Sequence, residues 1–376
     1  MAPYLPPELV WEIMVRLPVK SLLRFRCISK AWRDRISTDA EFRRSNLRAQ
    51  TPCLLTWSGT EDGRNNMVTT VDVSLYVPED GAEYTMELPV QEQPHRFAHC
   101  DGLVLMPTET VVRVLNPATR RVLTLPWSPN GVAPEFRFHA FHTHQVFGIG
   151  HDPRSDTYKV ARFFFTSLDL LPTDDYRYNY GVEVFTIGVD RRWHETAVKP
   201  PYPAHIGRTA TFFKGSLFWT IDEEKLTREI PNSAGESAPG FLRFRLDDES
   251  FSVTPPPPCC RGLRYTTSHM AELRGELSVA HAGPKYESIE IWMCNDVDTN
   301  PNQPRWNRRY TFDTVCLLTH PFFEAIMYYR CQYLLVQQVL KDIVGIDNHF
   351  ALNAYTYAGR NQYGWVIRYT PSLGLD

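Results

Sequence analysis

The sequence has no apolar window of roughly eighteen residues, which excludes an ordinary membrane-spanning helix. No Asn-x-Ser/Thr acceptor occurs. Eight cysteines in 376 residues, none spaced Cys-x-x-Cys, are too sparse for a disulfide scaffold and wrongly placed for a zinc knuckle or a thioredoxin-like redox pair. The HExxH, GxSxG, phosphate-loop and dinucleotide fingerprints are all missing, so no metalloprotease, serine hydrolase or nucleotide site of those kinds is written in the chain. Neither the Trp-Asp dipeptide nor a double glycine appears. Charge of one sign is also lacking: 40 Lys and Arg against 43 Asp and Glu leave a net charge of -3, which is no general nucleic-acid footprint. The opening "MAPYLPPEL" shows no basic leader before an apolar run. With the cysteine usage, this places the expected location in the reducing cytosol or nucleus.

What is present is unevenly distributed. Residues 1–50 hold ten basic and five acidic side chains, leaving 30 basic against 38 acidic in the remainder. A basic head on an acidic body points to an acidic partner for the head. In the head, Pro7 suits a first helical turn, Glu8 favours its positive end, and Leu9, Ile13 and Leu17 recur every four residues until Pro18 ends the element. A second short helix fits Ser21 to about Arg26, and a third fits Ser29 to Ile36, with Trp32 and Ile36 four apart and Arg33 and Arg35 pointing more outward. So small a helical unit cannot easily offset its lost chain entropy, roughly 1–2 kcal/mol per residue. It should lean on the large domain behind it or on a separate protein.

After Thr51-Pro52 the chain changes to short apolar or alternating runs divided by turn residues, among them "GLVLM", "YKVARFFF", "VEVFTI", "FLRFRL", "SIEIWM" and "YLLVQQV". With 21 Phe, 18 Tyr and 9 Trp, this composition favours aromatic-rich strand packing. No long helical pattern intervenes, so the sheets are expected to be antiparallel. Turns leading into such strands recur near Asp80, Pro117, Asp190, Asp248, Asn302 and Gly359 at spacings of 37 to 73 residues. Six imperfect units are therefore expected, as a six-bladed β-propeller with strands near Tyr363 to Tyr369 closing onto the N-terminal part of the body; a β-sandwich pair is the alternative. The expected fold class is a small all-α head followed by an all-β domain. Its divisions are three short helices in residues 1–45, a linker at 46–52 and the β domain at 53–376.

The head carries a family resemblance. Leu5-Pro6, Glu8-Leu9, Glu12-Ile13, Arg16 to Leu22, Phe25-Arg26-Cys27, Ser29-Lys30-Ala31-Trp32-Arg33 and Ile36 together resemble the F-box of plant F-box proteins. The resemblance implies docking on a Skp-type adaptor, which joins a cullin, a RING subunit and a ubiquitin-charged conjugating enzyme. It also implies Leu5, Pro6, Leu9, Ile13, Leu17, Pro18, Leu22, Leu23 and Trp32 as adaptor-binding residues. The body is similar to the F-box-associated domain of the same family in "CDGLVLM", "VLNPATRRVLTLP", "FGIGHDPRSDTYKV", "VEVFTI", "RRWHE", "FFKGSLFWT" and "IEIWM". The usual Asn-Gly of the first stretch is Asp101-Gly102, and the usual Phe-Asp of the third is His151-Asp152. Both changes keep turn chemistry. The resemblance implies a non-catalytic target-recognition subunit of an SCF-type ubiquitin ligase; the alternative is an adaptor-bound module that binds a small molecule or glycan without a role in degradation.

The residues themselves add little chemistry to the body. His139, His142, His144 and His151 lie beside Asp152, and His142 and His144 at alternate strand positions could face one metal. Without a second ligand set, surface or turn packing is the expected reading, with no metal and no cofactor. Trp193, Phe218, Trp219 and Trp292 are expected in the core. The pairs Arg120-Arg121, Arg191-Arg192 and Arg308-Arg309 are expected on solvated faces, with neither direct nucleic-acid contact nor a membrane partner. No residue code for a target is legible.

Overall fold

The structure, a computed structural model, describes residues 5–50, 53–62, 67–76, 83–89, 97–108, 111–130, 145–170, 176–205, 208–222, 239–260, 268–273, 275–282, 288–313, 364–370 and 372–374. His139, His142, His144, most of the polar stretch 223–240 and the apolar run 333–339 lie outside the described residues.

The head is a bundle of four helices, one more than expected. Helix α1 (Pro7–Arg16) has Pro7 in its first turn and Glu8 at its positive end, and α2 (Val19–Phe25) begins directly after Pro18. Helix α3 (Lys30–Thr38) is capped by Ser29, whose Oγ accepts from the Trp32 N–H at 3.2 Å. Asp39 caps α4 (Ala40–Ala49) in the same way, accepting from the Phe42 N–H at 3.0 Å. Helix α4 runs through residues read as linker. Its pattern is obscured because a buried position is taken by Asn46. The Asn46 amide donates to the carbonyls of Val15 (2.8 Å) and Leu17 (3.1 Å), and Gln50 Nε2 donates to Leu17 at 3.0 Å. These bonds satisfy carbonyls that the end of α1 would otherwise leave unpaired. Met14, Val15, Val19, Leu22, Ile36 and Phe42 form the head core, with Leu373 from the far end of the chain among them.

The body contains five antiparallel four-stranded sheets among the described residues. The first holds β1 (Cys53–Asp62), β2 (Met67–Tyr76) and β3 (Glu83–Pro89). The second is β4 (Ala98–Cys100), β5 (Leu103–Pro107), β6 (Val112–Asn116) and β7 (Arg121–Thr124). The third is β8 (Val146–Asp152), β9 (Thr157–Leu170), β10 (Tyr176–Thr186) and β11 (His194–Glu195). The fourth is β12 (Thr211–Phe213), β13 (Ser216–Thr220), β14 (Phe241–Arg245) and β15 (Phe251–Thr254). The fifth is β16 (Ser268–Leu273), β17 (Glu276–Ala282), β18 (Ser288–Cys294) and β19 (Asn307–Asp313). Strand β20 (Gly364–Tyr369) then returns to the first sheet and pairs with β1, Cys53 opposite Tyr369.

The expected six-bladed β-propeller is corrected by this arrangement. The described residues give five discrete sheets, none closed on itself, packed face to face in sandwich-like layers. The turn count misled for a specific reason. Asp80, Pro117, Asp190, Asp248 and Asn302 each fall between the third and fourth strands of one sheet, whereas Gly359 precedes β20, which completes the first sheet instead of starting a sixth. Pairing of the last strand with the first of the body agrees with the sequence reading.

Layer packing explains the aromatic content. Trp219, Phe163 and Phe244 meet between the third and fourth sheets, with Trp219 edge-on to Phe163 at 5.2 Å between ring centroids. Gly148 lets β8 approach closely, since a Cβ there would lie 2.6 Å from that of Ala210. Phe147, Ile149 and Val160 pack on the second sheet beside Trp193. Turn motifs are architectural, as expected. Asp101 and Gly102 both have positive φ, 47° and 77°, in a two-residue hairpin between Cys100 and Leu103. The Asn116 carboxamide oxygen accepts from the N–H groups of Ala118 (3.1 Å) and Thr119 (3.2 Å), closing the "NPAT" bend.

Candidate functional site

A helix on the outside of a bundle turns one apolar stripe inward, and α1 does so with Val10, Trp11, Met14 and Val15. It carries a second stripe. Leu9 and Ile13, one helical turn apart, are 51% and 52% exposed, and Leu5 just before the helix is 54% exposed. These three branched side chains at four-residue spacing face solvent, although Val10, Trp11, Met14 and Val15 of α1 pack inward. Among the described residues, the other large exposed apolar side chains of the body, Val122, Trp127, Val189 and Val198, follow no such spacing.

The nine residues singled out from the sequence separate into three groups. Leu5, Pro6, Leu9, Ile13 and Pro18 are exposed. Leu17, Leu23 and Trp32 are half-buried, resting on the head core with one side still open. Leu22 is fully buried, so its side chain belongs to the core and presents no surface. One apolar residue went unremarked: Ile28, between α2 and α3, is 65% exposed. An apolar residue in a tight turn, flanked by Cys27 and Ser29 with no periodic partner, was the available signal.

Charge frames this surface. Glu12 and Arg16 pair along α1, and Arg24, Lys30 and Arg33 are exposed on the neighbouring helices. Arg35 is exposed, as expected, with its guanidinium over the Trp11 ring at 5.5 Å, and Trp11 meets Phe42 edge-on at 5.3 Å. The positive side chains are therefore of two kinds, some holding the bundle and some free of its core.

Among its described residues, the body offers no comparable constellation. Trp193, Phe218 and Trp219 are buried, with Trp193 Nε1 donating to the Pro126 carbonyl at 2.8 Å and Trp219 Nε1 to that of Phe147 at 3.3 Å. Trp292 is half-buried and donates to Glu290 at 2.9 Å. Arg308 and Arg309 pair with Glu290 (2.8 Å) and Glu276 (3.5 Å), so this arginine pair is matched by acidic partners. Lys159 bridges Asp152 (3.3 Å) and Glu249 (3.1 Å) and donates to the Leu246 carbonyl at 2.6 Å, holding the β14–β15 turn against β9. Burial works against the Asp152 carboxylate, yet hydrogen bonds from the Arg154 N–H, Ser155 and Lys159 hold it below the usual range. His151 bonds Asp156 at 2.9 Å and packs edge-on against Tyr158, a turn-packing role. Among the described residues, no three His, Cys, Asp or Glu side chains gather to hold a metal, and no helix is long and apolar enough to cross a membrane.

Head and body touch directly. Arg44 of α4 pairs with Asp156 of the β8–β9 turn and holds that carboxyl below its ordinary value, while Ala118 packs against the head core.

Comparison with known proteins matches residues 3–44 to the F-box domain and residues 65–370 to the F-box associated beta propeller domain. An F-box/kelch-repeat protein of Arabidopsis thaliana is 28% identical over 227 residues, covering 57% of this chain and 97% of that protein. An F-box/LRR-repeat protein of the same plant is 24% identical, covering 81% of this chain and 66% of its relative. A third, an F-box protein, is 29% identical over 54% of this chain and 50% of that protein, so the match spans about half of its length.

Proposed function

Because the chain belongs to the F-box proteins that carry an F-box-associated domain, we propose that it is the target-recognition subunit of an SCF-type cullin–RING ubiquitin ligase. The observation that carries this reading is the outward stripe of Leu5, Leu9 and Ile13 on a helix whose opposite face is already packed. A Skp-type adaptor covers that stripe. Pro6, Pro18 and the open sides of Leu17, Leu23 and Trp32 extend the contact, and Ile28 joins it from the next turn. Leu22 supports the surface from beneath. Covering the exposed halves of three such side chains contributes about 1 kcal/mol each, enough to make them the centre of an interface whose rim is polar.

The chain contributes no nucleophile or general base to ubiquitin transfer. The adaptor, cullin and RING subunit hold the charged conjugating enzyme, and the β domain holds a target protein near it. Confinement raises the effective concentration of target lysines at the thioester, which is where the rate enhancement arises. The division between the parts falls at about residue 50, where α4 ends and β1 follows.

The test is co-purification. The full chain should recover the adaptor and cullin, and a chain lacking residues 1–50 should recover neither while keeping its target. Equal recovery by both forms overturns the reading.

A further inference from the structure

The head core is not made by the head alone. Leu373 is 1% exposed and sits among Val19, Leu22, Ile36 and Phe42, more than three hundred residues distant in sequence. Three features of the body hold it there. Strand β20 delivers the segment by pairing with β1, the strand that begins just after α4. Asn116, fully buried, donates from Nδ2 to the carbonyls of Ser372 (3.0 Å) and Gly374 (2.6 Å). Gly102 leaves the room: a Cβ at this position, φ +77°, would lie 2.5 Å from both the Thr370 carbonyl and the Ser372 hydroxyl. The seat is therefore built from two turns of the second sheet.

A head attached to a body by one short chain segment can swivel about it, whereas a second segment entering from the adjacent strand removes that freedom. We propose that residues 372–374 are a strap fixing the orientation of the head on the body, with Leu373 as a positioning residue for target presentation. Its functional consequence rests on the ligase reading above; its mechanical part does not. The Arg44–Asp156 pair and the partly buried Ala118 contact lie on the same joint, and the strap supplies its fully buried apolar side chain. The outward stripe of α1 is on the other side of the helix from the strap, so adaptor and strap do not compete.

The test measures distances in the full chain between spin labels carried by non-natural residues at positions 24 and 189, both exposed, one in each part. The parent should give one narrow distance. Leu373→Asp should lose that single peak, and Leu373→Met should restore it. If Leu373→Asp does not fold, Asn116→Asp decides, because it keeps the oxygen that caps the "NPAT" turn and removes the donor to the strap. One narrow peak unchanged in Asn116→Asp and in any folded Leu373→Asp overturns the proposal. Adaptor affinity is read separately by calorimetry: a parent that fails to bind adaptor sinks the ligase reading and leaves the strap measurement standing.

Discussion

Head and body treat large apolar side chains in opposite ways. The body turns Trp219, Phe218, Phe241 and Phe244 inward until they are essentially inaccessible, and its exposed apolar residues are scattered. The head is far smaller, yet spends Leu5, Leu9 and Ile13 on solvent. Scattered exposed side chains are normal on any protein surface, while the periodic row on α1 is the feature on which the proposed adaptor contact rests. The lesson is that regular spacing of exposure, more than its amount, separates a docking face from ordinary surface.

Three changes would break or sharpen that contrast. The largest effect is expected from Trp219→Ala, which removes a ring packed between the third and fourth sheets and should cost about 3–5 kcal/mol of body stability. Denaturant unfolding followed by aromatic fluorescence checks it; a midpoint that does not move would mean that the body core is not where the contrast places it. Next comes Leu9→Asp, expected to weaken adaptor binding by roughly 2–3 kcal/mol with the melting temperature unchanged. Calorimetric titration with purified adaptor reads the first and differential scanning the second. A lower melting temperature with unchanged affinity would turn the outward row into ordinary core.

The smallest effect concerns pH and belongs to the body. His281 is buried on β17 with neither ring nitrogen hydrogen-bonded, and burial pushes its pKa below the ordinary 6.5 against the opposing pull of Glu290. The unfolded chain therefore binds the proton first. Stability should hold above that ordinary value and fall as pH drops below it, by up to about 1.4 kcal/mol per pH unit until the folded form also protonates. Denaturation midpoints across that window should flatten in His281→Asn, and a parent whose stability rises on mild acidification contradicts the assignment.

The legibility of the sequence followed the same division. Helices α1 to α3 were readable because apolar residues recur at helical spacing and Pro18 interrupts them. Helix α4 was not, because Phe42 and Leu47 alone carry its periodicity and the buried Asn46 serves the carbonyls of α1. Strands announced themselves through alternation, and one hairpin turn through Asp101-Gly102, both with positive φ. The number of sheets was misread, since local turn chemistry cannot reveal that β20 returns to β1. For the proposed docking face, spacing and resemblance singled out the candidate residues, and burial separates Leu22, which is in the core, from Leu23, which is half-buried. Leu373 was invisible for the same reason as β20: its partners are remote in the chain.

That return of β20 to β1 also orders events during synthesis. The first sheet lacks an edge, and the helical bundle lacks one of its innermost side chains, until the last stretch leaves the ribosome; at about 5–20 residues per second the wait is roughly 15–60 seconds. Throughout that interval the nascent head shows water both the row of Leu5, Leu9 and Ile13 and a gap that Leu373 later fills. A chain stopped before Gly364 would lack both the strand that borders β1 and the Leu373 side chain that fills the bundle.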